Sequence, residues 1–104
     1  GEPIIPQVII EIMSSLAYEI FKNDSELVRI PLEIEKSEKI GSLFERLDRE
    51  NHKIIEFLVD KDSGIVKSSV YLLINGRVFE SCGCYDAVLN DGDIITFLPA
   101  YPGG

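Results

Sequence analysis

The sequence predicts an α+β fold, a mixed sheet of about five strands with one main helix packed on it. Three observations lead there. Strand-type apolar runs stand near both ends of the chain, Val8 to Met13 and Ile94 to Leu98. Between them Ile40, Leu43, Phe44 and Leu47 recur at i, i+3, i+4 and i+7, the stripe of a helix that buries one side. A third run, Val70 to Ile74, meets Asn75-Gly76, a pair that accepts the positive φ angles of a tight hairpin turn.

Taken in order, Val8-Ile9-Ile10-Glu11-Ile12-Met13 is apolar at nearly every position, which implies a strand covered on both faces and interior to its sheet. Leu16 to Asn23 has weak helical spacing through Leu16, Ile20 and Phe21, and reads as a structured turn or a single helical turn. From Leu27 to Ile34, Val28, Ile30, Leu32 and Ile34 share one face and Arg29, Pro31 and Glu33 the other, the alternation of a half-buried strand. Pro31 has no N–H for a ladder, so this strand belongs at an edge. Ser37 can cap the main helix that follows. Asn51 and His52 break its pattern, Lys53 to Val59 allows a second short helix, and Asp60 to Gly64 is a polar loop. Val78 to Phe79 returns from the hairpin, and Asn90-Asp91-Gly92-Asp93 turns into the last strand, which can pair beside the first.

With 104 residues, 45% of them hydrophobic and 27% charged, the chain has the size and composition of one domain with its own core. Ten Lys and Arg stand against 18 Asp and Glu, a net charge of −8 that disfavours phosphate backbones and anionic lipid. No nucleic-acid or membrane partner is expected, and a partner with a basic face suits the chain better. The longest apolar runs fall far short of the roughly 20 residues that cross a bilayer. Gly1 to Gln7 lacks the basic start and long apolar stretch of a secretory signal. Cys82 and Cys84, one residue apart, close only a very small ring, so a reduced, cytoplasmic protein is expected.

Few side chains offer chemistry. Cys82-Gly83-Cys84 with His52, the one histidine, cannot supply the four ligands of a tetrahedral zinc site, and a plain loop with a partly buried thiol is expected. His52 has no nucleophile placed beside it by a motif and reads as a surface or capping residue. Glu45, Asp48, Glu50 and Asp60 are dispersed, as solvated carboxylates are, and offer no identifiable acid/base pair. No glycine-rich phosphate loop exists, so ATP would have to be bound by a partner.

The distinctive segment is the last, Leu98-Pro99-Ala100-Tyr101-Pro102-Gly103-Gly104. Pro99 and Pro102 remove ladder donors, and two glycines can pass through a channel that a β-carbon would obstruct. The block from Asn90 to Gly104 resembles the C-terminus of the MoaD/ThiS sulfur carriers, in which an aspartate-glycine-aspartate turn opens the last strand before a proline-containing tail ending in Gly-Gly. The likeness extends through Leu72-Leu73-Ile74-Asn75-Gly76-Arg77, similar to the family's strand and asparagine turn, and through the helix Ile40 to Leu47. Two positions depart from the pattern. Leu16-Ala17-Tyr18 stands where an arginine is common, and Ala100 where a second proline is.

The resemblance implies a ubiquitin-like β-grasp fold: residues 1–7 as an N-terminal extension, 8–98 as the domain, and 99–104 as a flexible tail. It implies a sulfur carrier, nearest the small subunit of molybdopterin synthase, that is no enzyme by itself. A ubiquitin-activating-type adenylating enzyme, with ATP and Mg²⁺ in its own site, would join the Gly104 carboxylate to AMP. A sulfur donor would then convert it to a thiocarboxylate, delivered to the synthase large subunit or another acceptor. Gly103 and Gly104 carry that chemistry, and Pro99, Tyr101 and Pro102 lie along the threaded tail. The family's docking patch has an apolar residue just before the tail proline, matching Leu98, and one after the asparagine turn, matching Val78, with Met13 a third member. Phe97 and Leu98 point to opposite faces of their strand, so one faces the core and the other the partner. The alternatives are a ubiquitin-like modifier joined to lysines through Gly104, or a carrier for thiamine synthesis or tRNA thiolation.

Overall fold

The computed structural model describes residues 4–22, 27–60 and 62–100. Its elements are β1 (Gln7–Met13), α1 (Ser14–Phe21), β2 (Leu27–Glu33), α2 (Ile40–Arg49), α3 (Lys53–Leu58), β3 (Val70–Ile74), β4 (Arg77–Val78) and β5 (Ile94–Pro99), with two 3-10 turns, Phe79–Cys82 and Cys84–Asp86, between β4 and β5. The strands form one mixed sheet in the order β2-β1-β5-β3-β4. β5 runs parallel to β1 and antiparallel to β3, so the last strand lies in the middle of the sheet.

β1 is interior, paired on both edges, as its apolar run predicts. Its two faces are unequal, however: Val8, Ile10 and Ile12 are buried, whereas Ile9 and Glu11 are half-buried and Met13 is exposed. The helices lie on one side only, so the expectation of cover on both faces holds for the backbone and fails for the side chains. β2 is an edge strand, with Pro31 on the same face as Ile9.

α1 is longer than the single turn expected. Leu16, Ala17 and Ile20 are all buried, and Ala17, which adds little to an apolar pattern, completes the inward face. The helix ends at Lys22, in the left-handed region at φ 56°, whose N–H donates to Tyr18 O.

α2 buries Ile40, Leu43, Phe44 and Leu47, the stripe read from the sequence. Ser37 does not cap it. The N-cap position is Lys39, without a side-chain bond, and the Ile40 N–H donates instead to Ala87 O at 2.9 Å. A carbonyl from far along the chain thus satisfies a donor that a local side chain was expected to meet. Glu38, its side chain 7% exposed, closes the preceding turn: its Oε1 accepts from the Glu35 N–H at 2.9 Å and from Arg46 Nη2 at 2.9 Å, and Arg46 also donates to Glu33 O. His52 caps α3, its Nδ1 accepting from the Ile54 N–H at 3.4 Å.

Asn75 (φ 52°) and Gly76 (φ 79°) make the hairpin, with Ile74 opposite Arg77. The returning strand stops at Val78. Phe79, expected within it, starts a 3-10 turn and is buried. β5 in turn extends past its expected end: Pro99 is in register with Val70, and the Ala100 N–H donates to Ser69 O at 2.8 Å. The domain accordingly holds the chain through Ala100 rather than releasing it at Pro99.

Candidate docking face and chain exit

Because partners in register share a face, the pairing defines the side of the sheet that no helix covers. Leu98 stands beside Tyr71, and one step along the β1–β5 register sets Met13 next to Leu98, with Leu27 beyond it. A second row runs Arg29, Glu11, Thr96, Leu73, Val78, and a third contains Pro31, Ile9 and Ile94. Tyr71 is 63% exposed, Val78 54%, Leu27 38% and Met13 37%, and Leu98, Leu73 and Ile94 are half-buried. One charged pair crosses this apolar ground, Arg29 Nε to Glu11 Oε1 at 3.4 Å.

The structure therefore brings Leu98, Val78 and Met13 onto one face. Phe97 is on the other: it is 0% exposed and packs against Phe44 with ring centroids 6.2 Å apart. Of that pair Phe97 is therefore the core residue and no part of a docking surface, since Ile12 and Leu72, its neighbours in register, are themselves on the covered side. Tyr71, Leu73 and Leu27 were not singled out from the sequence. Their signal was present in the alternation of Val70-Tyr71-Leu72-Leu73-Ile74, which leaves Tyr71 and Leu73 facing away from the buried Val70, Leu72 and Ile74.

The turn before β5 is built to hold that strand in place. Asp93 Oδ2 accepts from the Asn90 N–H at 2.8 Å, and its Oδ1 accepts from Asn75 Nδ2 at 2.9 Å. Asn75 Oδ1 accepts from the Ile94 N–H at 2.9 Å, and Asp91 Oδ1 from the Gln7 N–H at 2.9 Å. The asparagine thus turns one hairpin and clamps the start of β5, while the aspartates tie the same turn to β1. At its other end β5 delivers the chain between the end of β1 and the start of β3, beside Met13, Leu98 and Tyr71. Tyr101, Pro102, Gly103 and Gly104 lie outside the described residues.

Cys82 and Cys84 are free and half-buried against the core, and the Cys82 thiol donates to Val78 O at 3.4 Å. Among the described residues no three His, Cys, Asp or Glu side chains are placed to hold a metal ion together, and no helix is long and apolar enough to cross a membrane.

No protein-family model matches the sequence, and neither does any curated protein. Solved structures do match in three dimensions. Urm1 from Trypanosoma brucei superposes with a TM-score of 0.68 at 20% identity, over 99% of this chain and 100% of that one. The small archaeal modifier protein 1 from Methanosarcina acetivorans gives 0.67 at 21%, over 98% and 100%. A putative molybdopterin converting factor, subunit 1, from Pyrococcus furiosus gives 0.56 at 19%, over 90% and 99%. With its sheet order, its crossing helix and these neighbours, the chain has the ubiquitin-like β-grasp fold.

Proposed function

We propose that this chain is a sulfur carrier that works through the carboxylate of Gly104. The observation that carries the reading is the β-grasp fold in which the central β5 ends beside an uncovered apolar row, with Tyr101-Pro102-Gly103-Gly104 following it in the sequence. A carboxylate is a poor electrophile at neutral pH. Attack of the Gly104 carboxylate on ATP in a partner's Mg²⁺-containing site releases pyrophosphate and leaves an acyl adenylate, and a sulfur donor then displaces AMP to leave a thiocarboxylate. The chain's own contribution is binding: Leu98, Tyr71, Val78 and Met13 dock, and the side-chain-free end enters the channel. The surplus of acidic residues favours basic channel mouths and makes association faster at low salt. Such a carrier acts in the cytoplasm beside its activating enzyme. The likeness to a putative molybdopterin converting factor subunit supports a molybdopterin synthase large subunit as the acceptor.

Intact-mass measurement tests this. Incubation with ATP, Mg²⁺, an adenylating enzyme from the same cell and a sulfur source adds about 16 Da, oxygen exchanged for sulfur at the activated carboxylate. An unchanged mass, or a shift that survives deletion of Gly104, rules the carrier out. Gly103→Val should block activation, because a β-carbon there obstructs the partner's narrow channel.

A second reading, a modifier joined to lysines through the same carboxylate, is favoured by the likeness to small archaeal modifier protein 1. Isolation from cells separates the two: a ladder of heavier conjugates supports the modifier, and a defined complex with a larger subunit supports the synthase.

A further inference from the structure

We propose that a cleft on the helix-covered side of the domain, between α2 and the loop after α3, is a second docking site. Its occupant is a peptide segment of a partner in which an apolar side chain stands between lysines or arginines. The cleft measures about 300 Å³, at the lower end of the range for small-ligand pockets, which suits one anchoring side chain. Phe44, Ile55 and Val59 line it, and Ile65 lines it while remaining 55% exposed. Tyr85 forms a fixed wall. Its Oη accepts from the Val66 N–H at 2.7 Å, and its ring stands edge-on to Phe44 and Phe79, with centroids 6.4 and 5.0 Å away. A wall already held by its neighbours loses little freedom when a ligand enters.

Charge selects the occupant. Glu45, Asp48 and Asp60 also line the cleft, all exposed, and no lysine or arginine among the described residues forms an ion pair with them. Asp60 is held in place by the N–H groups of Asp62 and Ser63, at 2.9 and 3.2 Å from its Oδ1. Three carboxylates around an apolar floor favour a cationic guest with an apolar anchor. A second copy of this chain is disfavoured, since each copy carries a net charge of −8. Because the cleft faces away from the open sheet, both faces can be occupied at once, and the inference stands independently of the sulfur-carrier reading.

The test is an amide-shift titration of the ¹⁵N-labelled full chain with the amidated peptide Arg-Arg-Leu-Arg-Arg. Saturating shifts at Gly41, Gly64 and Ile65 are expected. Replacing the peptide's leucine by glycine, or combining Glu45→Gln with Asp48→Asn in the protein, should each weaken binding about fivefold. Both substituted side chains are exposed, so the variant keeps its fold, and its amide spectrum outside α2 checks this. Shifts centred on Tyr71 and Val78, equal binding of the glycine peptide, or no saturation would overturn the proposal.

Discussion

The two faces of the sheet are written by alternate residues of the same strands, yet they have opposite fates. On the covered face Val8, Ile10, Ile12, Ile95 and Phe97 are completely buried. On the open face Met13, next to Ile12, and Tyr71, between the buried Val70 and Leu72, are exposed, and Leu98, next to Phe97, is half-buried. Both sets are apolar, so hydrophobicity does not distinguish a core residue from an open-face residue here. The position of the helices does.

Two consecutive residues on opposite faces carry the largest expected effects. Phe97→Ala removes a fully buried ring and should lower unfolding free energy by about 4 kcal/mol, read by chemical denaturation. Leu98→Asp should leave that unfolding curve in place and cost about 2 kcal/mol of partner binding, read by calorimetry against the activating enzyme. If Leu98→Asp unfolds the domain instead, the open face is part of the core and the comparison fails.

Smaller effects sharpen it. A β-carbon at Gly41 would stand 3.0 Å from Tyr85 O and 3.2 Å from Tyr85 Cβ. Gly41→Ala should gain helix propensity yet lose about 1 kcal/mol net in thermal unfolding, because backbone on the covered side must shift. Tyr71→Ser, 63% exposed on the open face, should change stability by only about 0.5 kcal/mol while weakening partner binding.

Much of this was legible in residues whose conformation is set by near neighbours. The i, i+3, i+4, i+7 stripe of α2 and the Asn75-Gly76 turn came through unchanged, because a helix stripe and a positive φ angle are local properties. The candidate site was half legible. Alternation places Phe97 and Leu98 on opposite faces but does not say which face the helices take. Leu98, Val78 and Met13 came from resemblance, while Tyr71, Leu73 and Leu27 emerged only once the register was known.

The order of strands and main helix, the hairpin and the edge position of β2 follow from local pattern in the chain. Tertiary structure alone decided the rest. The Ile40 N–H found Ala87 O rather than Ser37, Phe79 turned inward, α1 gained a turn by burying Ala17, and Ser69 held the chain through Ala100. The physical reason is common to all four. Each depends on a donor, an acceptor or an apolar surface supplied by a segment distant along the chain, and periodicity within a segment carries no information about what will pack against it.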